Sequence, residues 1–402
     1  MNLLFFDDYK RSHLFPLTLT RPAAQLRIGI LTIEEKWERA LKSDGASYLT
    51  ADYLHAKYPK KVAAENWLIN GRICPSASLL KELKTLATGE LLMHNDTIIA
   101  AKLSADAVHA IHTNDGVIWN ATLDALPQRA CTSTDFTVIE RAWHLFQHNA
   151  HELKLDFKAV TQRRKSQPLS ATNTLIGDVS QLFIEQGATV ECAVLNTTAG
   201  PIYVGAHAEI MEGSLVRGGL AMCAHSALKL GAKIYGATTL GPHCKVGGEV
   251  NNSILIGYSN KGHDGFLGNS VLGEWCNLGA DTNNSNLKNN YAEVKVWDYD
   301  TQRFVATGLQ FCGLIMGDHS KSGINTMFNT GTVVGVSANL FGAGFPRNFV
   351  PSFAWGGAQS MTAFALPKAY EVAENVMSRR GVAFTEADKY IFSRVAELDG
   401  FK

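Results

Sequence analysis

Eight apolar residues recur in this chain at a strict spacing of six. They are Val204, Ile210, Val216, Met222, Leu228, Ile234, Leu240 and Val246. A period near 3.6 would predict an amphipathic helix and a period of 2 a half-buried strand, whereas a hexad repeat is typical of a parallel β-helix. The residues four places after each apolar position are mostly small, which suits a tight corner. One coil would take three hexads, so equivalent residues of successive coils should stack about 4.8 Å apart.

The hexad step continues, with interruptions, outside this run. Further apolar residues in step are Ile184, Val190, Ile202, Leu272, Leu278, Phe328, Val334 and Leu340. The β-helix is therefore expected to begin near residue 175. The register slips between about Gly247 and Gly265, and we expect a loop there that leaves the coil and reaches a ligand, because loops on a regular scaffold commonly carry function.

The N-terminal half alternates strand and helix patterns, which predicts an α/β domain. Residues 2–6, 67–70, 91–93 and 98–101 have strand patterns. Thr32 and Glu35 form a capping box that should open a helix through about Leu41, and further helices are predicted at 78–86 and 138–155. We therefore divide the chain into an α/β domain (1–170), a β-helix (171–350) and a C-terminal helical tail (351–402) with two short helices, the second starting near Thr385.

The balance of charged residues limits the classes of partner that the chain is expected to bind. Lys plus Arg and Asp plus Glu each number 37, so no net charge favours nucleic acid or an anionic membrane. We expect neither a signal peptide, since residues 1–8 lack a basic leader, nor a membrane span, since the sequence has no run of 18 apolar residues. The seven cysteines contain no Cys-x-x-Cys pair, so we expect reduced thiols in a cytoplasmic protein.

The segment after the regular run contains a chemically suggestive order of residues. Lys261-x-His263-x-x-Phe266-Leu267-Gly268 is followed by Asn277-Leu278-Gly279-Ala280-x-Thr282 and by Asn286. This order resembles the acetyltransferase domain of the bifunctional glucosamine-1-phosphate acetyltransferase/N-acetylglucosamine-1-phosphate uridyltransferases. The resemblance spans roughly residues 175 to 345 and implies a left-handed parallel β-helix.

The resemblance assigns roles to these residues. His263 would be the general base that deprotonates the sugar amine as it attacks the thioester of acetyl-CoA, a role that suits an imidazole near neutral pH. Asn286 would lie near the reacting thioester and Asn277 near the sugar. Phe266 stands where the bacterial family usually has Tyr, and Lys261 would pair with a phosphate. The alternative for His263 is a histidine with only a structural role in a loop. The alternative for Asn286 and Asn277 is that their amides only stabilise corners of the coil.

Four further residues of the β-helix region are candidate binding residues. Glu249 and Asn251 are candidates for sugar binding, and Lys288 and Lys295 for the phosphates of coenzyme A.

The segment from His13 to Pro22 resembles the start of the sugar-1-phosphate nucleotidyltransferases. The match is partial, because Asp7, Asp8 and Tyr9 stand where that family has phosphate-wrapping glycines. The candidates to bind the nucleotide of UTP are Arg11, Arg21 and Arg27, and the candidate Mg²⁺ ligands are Asp7 and Asp8. The alternative is that these arginines are surface charges on a degenerate domain.

Taken over nearly all its length, the chain resembles an alternative form of the bifunctional enzyme from Bacteroidetes-type bacteria. Residues 17–22, 261–268 and 317–321 carry this resemblance. It implies acetyl transfer to glucosamine-1-phosphate followed by uridylyl transfer from UTP, with a metal and basic groups stabilising charge.

His207, His225 and His243 recur every 18 residues, so their side chains should stack on successive coils. Hexapeptide-repeat carbonic anhydrases bind zinc through histidines, which makes a metal site one alternative. Those enzymes assemble the site between subunits, whereas here all three residues have the same phase in the coil. We therefore predict an outward-facing ladder.

Three functional hypotheses follow. The first is the bifunctional enzyme, the second a transferase acting on another amino sugar, and the third a noncatalytic sugar-nucleotide-binding or regulatory protein with a degenerate N-terminal domain. In each case the partners are sugar phosphates and nucleotides. A homotrimer is expected, since such β-helices bind substrate between neighbouring subunits.

Overall fold

The computed structural model describes residues 2–43, 45–111, 113, 115–118, 123 and 126–401. The N-terminal part is an α/β unit around a six-stranded mixed sheet, with strands in the order Ala46–Leu49, Asn2–Phe6, Glu65–Asn70, Thr97–Ser104, Glu90–His94 and Gln128–Ala130. Two short antiparallel pairs join Arg27–Ile28 to Leu31–Thr32 and Ile73–Cys74 to Thr137–Val138. Its helices are α1 (Ile33–Leu41), α2 (Ala77–Lys84), α3 (Ala105–His109) and α4 (His144–Thr161).

Helix α1 begins where the sequence predicts, and α4 does not. The Thr32 hydroxyl accepts from the Glu35 N–H at 3.1 Å, and the Glu35 carboxylate accepts from the Thr32 N–H at 2.6 Å, which completes the capping box. The predicted helix 138–155 was displaced at both ends. Val138 pairs in a strand with Ile73, and the buried face of α4 continues to Val160.

Residues 174–356 form a parallel β-helix of about ten turns with three faces. The strands of the first face are Thr174–Ile176, Val194–Asn196, Leu215–Arg217, Lys233–Tyr235, Glu249–Asn251 and Phe266–Gly268, and the pair Asn283–Asn284 and Met327–Phe328 follows them. The second face consists of Leu182–Ile184, Ile202–Val204, Leu220–Met222, Thr238–Leu240, Ile254–Gly257, Val271–Glu274, Leu314–Met316, Thr332–Val334 and Phe349–Val350. The third face consists of Thr189–Val190, Glu209–Ile210, Ala227–Leu228, Lys245–Val246, Asn260–Lys261, Asn277–Leu278, Lys321–Ser322, Asn339–Leu340, Ala354–Gly356 and the antiparallel Met361–Ala363.

The hexad residues form the apolar column inside this prism, as predicted. Val204 pairs with Met222 and Met222 with Leu240, in a parallel register that repeats every three hexads. All eight residues of the opening run are buried in one core. The predicted fold class is therefore confirmed: an N-terminal α/β domain, a parallel β-helix and short C-terminal helices.

The interruption after Val246 is a shortened coil, and the prediction of an extruded loop there was wrong. Leu240 pairs with Leu255, and Val246 with Lys261, so this coil has 15 residues where the regular coils have 18. The chain leaves the prism later, since Leu272 pairs with Met316 across a long insertion. That insertion contains an antiparallel hairpin, Lys295–Asp298 with Arg303–Ala306, which we call the 295–306 hairpin.

The N-terminal domain packs against the second face of the β-helix. Outward side chains of that face, among them Ile254, Val271 and Val333, are buried in the same core as Leu3 and Phe5. Two C-terminal helices, α5 (Leu366–Ser378) and α6 (Glu386–Asp399), cover the edge between the second and third faces. Among the described residues no helix is long and apolar enough to cross a membrane.

Candidate active site

A cleft of about 640 Å³ lies on the outer side of the third face, beneath the end of α5. Parallel register places Lys245, Asn260, Asn277 and Lys321 side by side on successive coils of that face. The remaining walls are the corner around Gly262 and His263, the rings of Tyr258 and Trp275, the exposed side chain of Ile324, and Val376, Arg379 and Arg380 of the C-terminal segment.

The cleft is strongly basic. Among the residues that the structure describes, no carboxylate lines it and five cationic side chains do: Lys229, Lys245, Lys321, Arg379 and Arg380. The pKa of Lys245 is lowered by burial and then by the nearby charges of Arg380, Lys229 and Arg379, so these cations repel one another. Burial also lowers the pKa of Lys321 to about 8. A bound anion would relieve this repulsion.

Two polar groups in the cleft are available to a ligand. The His263 imidazole is exposed and has no hydrogen-bond partner among the described residues. The Asn260 Oδ1 atom is buried without a hydrogen-bond partner, although its residue lines the cleft. A buried, unpaired amide oxygen is costly, so a donor group on a ligand is the natural partner for it.

Lys261 points into the prism and not into the cleft, which corrects its assignment as a phosphate partner. It pairs in register with Val246, an inward hexad residue, and is only 2% exposed. Its ammonium donates to the main-chain carbonyl of His263 at 2.6 Å, and burial lowers its pKa to about 8. Lys261 therefore fixes the backbone of the His263 corner.

A continuous stack of rings follows the edge between the second and third faces. It runs through His207, His225, His243, Tyr258, Trp275 and His319, with successive ring centroids 5.1, 4.8, 5.0, 4.2 and 6.1 Å apart. Every one of these residues has a left-handed φ, between 54° and 62°, because each turns the same corner. The stack begins exposed at His207 and ends buried at His319, beneath Phe392 of α6.

The three histidines form the outward ladder that their spacing predicts. Neighbouring rings lie within 15° of parallel, so their nitrogens do not converge on a shared point. Within the described part of the chain, no group of three His, Cys, Asp or Glu side chains could hold a metal ion. The stack instead supplies the aromatic wall of the cleft, through Tyr258 and Trp275.

The other predicted acetyl-transfer residues lie on two different surfaces. Asn277 faces the cleft together with His263. Glu249 and Phe266 are register partners on the first face, as are Asn251 and Gly268, and Glu249 accepts from the Tyr235 hydroxyl at 2.6 Å.

Asn286 does not line the cleft. It lies at the corner between the first and second faces, where its amide donates to the Asn269 side chain at 2.8 Å. Lys288 and Lys295 lie on the insertion beside that same corner. Within one chain, the structure therefore separates Asn286, Lys288 and Lys295 from His263.

The predicted nucleotide and metal residues of the N-terminal domain are buried and already paired. Arg11 pairs with Asp7 at 3.2 Å, and Arg72 donates to both oxygens of Asp8, with its Nε 2.9 Å from Oδ1. Asp7 also accepts from the Ala23 N–H at 2.9 Å, and burial raises its pKa. These carboxylates do not form a ligand set that fits Mg²⁺, because an arginine neutralises each of them.

Arg21 and Arg27 reach the β-helix. Arg21 contacts Asp318 and lies 3.3 Å from Glu274, and Arg27 donates to the Ile256 carbonyl at 3.3 Å. The alternative interpretation of these arginines as surface charges was wrong, since all three are less than 9% exposed. Arg21 and Arg27 join the two domains, whereas Arg11 pairs within the N-terminal domain.

The cationic wall of the cleft was missed from the sequence. Lys229 and Lys245 flank the hexad residues Leu228 and Val246, so their outward direction was readable from the repeat. The contribution of Arg379 and Arg380 could not be predicted from the repeat, because only tertiary packing brings the end of α5 onto the third face.

Comparison with known proteins adds to this geometry. Residues 3–165 match the family model described as sugar nucleotidyl transferase. This match supports the resemblance seen around His13 to Pro22, and it covers less than half of the chain. None of the curated proteins matches the chain.

Solved structures also match the chain. The polySia specific acetyltransferase NeuO is 11% identical, over 48% of this chain and 81% of that one, with a TM-score of 0.26. LpxA, a UDP-N-acetylglucosamine acyltransferase from Bacteroides fragilis, is 12% identical, over 56% of this chain and 96% of that one, with a TM-score of 0.24. Similarities with sequence identities and TM-scores this low carry no conclusion about the function of this chain.

Proposed function

We propose that the β-helix transfers an acetyl group from acetyl-CoA to the amino group of glucosamine-1-phosphate. The observation that carries this proposal is the placement of the His263 imidazole, which has no partner in the described chain, at the edge of a cleft that its described residues line with five cations and no carboxylate. Both substrates are anions, so they match the charge of the cleft. Acyl transfer to an amine also requires a base that is free to accept a proton.

The chemistry assigns a task to each group. The neutral sugar amine attacks the thioester carbon, and His263 takes the proton that the nitrogen loses as the new C–N bond forms. The C–S bond then breaks, and the thiolate leaves and is protonated to free coenzyme A. The cations would hold the sugar phosphate and the phosphates of the cosubstrate, with Lys245 and Lys321 on the third face opposite Arg379 and Arg380.

The N-terminal domain has two candidate roles. The family match supports uridylyl transfer from UTP to N-acetylglucosamine-1-phosphate, giving UDP-N-acetylglucosamine and pyrophosphate. The second candidate, a noncatalytic scaffold or regulatory domain, is favoured by the pairing of Arg11, Asp7 and Asp8 within the domain and of Arg21 with Asp318. Pyrophosphate release that depends on UTP would support the first role, and its absence the second.

A thiol-release assay tests the acetyl transfer. Purified full-length protein is incubated with acetyl-CoA and, one at a time, with glucosamine-1-phosphate, glucosamine-6-phosphate, galactosamine-1-phosphate and free glucosamine. We expect release of coenzyme A with glucosamine-1-phosphate and little with free glucosamine, which lacks the anion. Release with another amino-sugar phosphate alone would move the proposal to that substrate, and no release with any of them would reject it.

A further inference from the structure

A second groove, of about 610 Å³, lies beside the 295–306 hairpin. One side of this hairpin faces the protein, where Val296 and Asp298 are buried. The opposite side presents Lys295, Trp297 and Phe304 to the groove. A coil of the β-helix forms the facing wall, with Phe349, Arg347 and Thr330.

The floor of the groove is an ordered aromatic platform. The rings of Trp297 and Phe349 stack with centroids 4.3 Å apart and planes 13° from parallel. Phe304 meets Trp297 edge-on at 5.4 Å and remains 44% exposed. An exposed aromatic side chain beside a stacked pair leaves an apolar surface that water solvates poorly.

Cationic side chains surround this platform. Lys288, Lys295 and Arg347 line the groove, and within the described part of the chain no lining residue is acidic. Lys295 and Arg347 are exposed and make no hydrogen bond or ion pair with the described residues, whereas the Lys288 ammonium donates to the Glu293 carbonyl at 2.7 Å. Two free cations are therefore available beside the aromatic surface.

We propose that this groove binds a nucleotide moiety, with the base on the Trp297, Phe304 and Phe349 platform and the phosphates against Arg347 and Lys295. Stacking of a base on aromatic side chains, with cations along the phosphates, is a general mode of nucleotide binding. An uncharged apolar ligand would leave the cations unused, and an inorganic anion would leave the aromatic platform unused.

The groove is separate from the His263 cleft within one chain. The cleft opens on the third face. The groove lies at the corner between the first face, where Asn284 pairs with Phe328, and the second face, which contains Val334. The prism therefore lies between them. The inference does not depend on the proposed acetyl transfer.

Isothermal titration of the full-length protein carrying Arg379→Gln and Arg380→Gln, which should weaken anion binding in the His263 cleft, with coenzyme A, UTP, ATP and inorganic pyrophosphate tests the inference. We expect at least one nucleotide to bind and pyrophosphate to bind more weakly. If coenzyme A binds most tightly, the nucleotide moiety in the groove is the adenosine phosphate portion of coenzyme A. If UTP or ATP binds most tightly, the ligand of the groove is a free nucleotide. Pyrophosphate binding as tight as that of every nucleotide, or no nucleotide binding at all, would overturn the proposal.

Paired variants locate the site. Phe304→Ala and Arg347→Gln should each weaken nucleotide binding about tenfold, as expected for loss of one stacking partner or one charged contact. Both residues are on the surface, so far-ultraviolet circular dichroism should show intact folding. Arg217→Gln, an exposed arginine on the first face, is the matched control. His263→Ala should leave this binding unchanged, and loss of nucleotide binding in that variant alone would place the ligand in the cleft and contradict the assignment.

Discussion

The guanidinium of Arg21, in the segment that resembles a nucleotidyltransferase motif, contacts the carboxylate of Asp318 in the β-helix. Asp318 also accepts from the Thr20 hydroxyl at 2.6 Å and from the Glu274 N–H at 2.8 Å. The next residue is His319, the buried end of the ring stack. The N-terminal motif is thus connected directly to the corner that carries Trp275 and to the residues that precede Lys321 of the cleft.

Removal of Arg21 is expected to destabilise the protein. Arg21→Met leaves the buried Asp318 carboxylate without its cation, which should lower the free energy of unfolding by about 3–5 kcal/mol. Adding Asp318→Asn should recover part of that loss, because the buried Asp318 charge is then removed, while Glu274 still lacks its contact with Arg21. Urea denaturation of the two variants measures both effects, and a loss below about 1 kcal/mol in the single variant would contradict the account.

Replacement of Lys261 should separate stability from activity. Lys261→Met puts an apolar side chain at an inward hexad position, so the protein should be at least as stable at pH 7, while kcat falls because the His263 carbonyl loses its donor. Burial lowers the pKa of Lys261 to about 8, below its unfolded value, so the charged form costs stability at neutral pH. That cost declines as pH rises above about 8, and any stability advantage of the variant should shrink accordingly. A variant with full kcat would contradict the positioning role.

Substrate affinity should depend on pH through Lys321. Burial lowers the pKa of this cleft lysine to about 8, so its positive charge is lost as pH rises through that value. The KM for an anionic sugar should therefore rise between about pH 7 and 9. Steady-state kinetics in this range should show a flatter KM profile for Lys321→Gln. An identical profile in the variant and the wild type would show that Lys321 does not hold the phosphate.

The arginines at the end of α5 should govern anion affinity. Arg379→Gln with Arg380→Gln should raise the KM for the phosphorylated substrates about tenfold or more and weaken its dependence on salt. Neither guanidinium has a partner among the described residues, so stability should change little. Arg394→Gln on α6, whose side chain pairs with Glu397, is the control. Equal KM values in all three proteins would remove α5 from the binding site.

Much of the fold followed from local pattern. A hexad residue must face inward on every coil, so eight matches define the prism, and the Thr32 capping box defines the start of α1 because its contacts are local. The break after Val246 was harder to interpret, because a missing repeat has the same appearance whether a coil shortens or a loop leaves. Lys261 also shows this limit: a lysine in a polar segment looks like a ligand contact until its register with Val246 is known.

The site was predictable only in part, for a related reason. His263 lies at the corner after the third-face strand Asn260–Lys261, Asn277 lies on the next strand of that face, and the structure brings both to the cleft. Arg379 and Arg380 come from about 100 residues further along the chain and carry no local pattern. The pairing of Arg11, Asp7 and Asp8 also depends on tertiary packing, so the sequence alone could not distinguish a phosphate site from an internal ion-pair network.

The central claim is that His263 accepts the proton of an attacking sugar amine in the basic cleft. The most direct measurement compares the rate of coenzyme A release from acetyl-CoA and glucosamine-1-phosphate in the wild type, in His263→Ala and in the control His151→Ala, an exposed histidine on α4. Loss of a general base predicts a kcat about 10²- to 10⁴-fold lower in His263→Ala, with the control unchanged and both variants folded. Undiminished coenzyme A release from His263→Ala would contradict the claim.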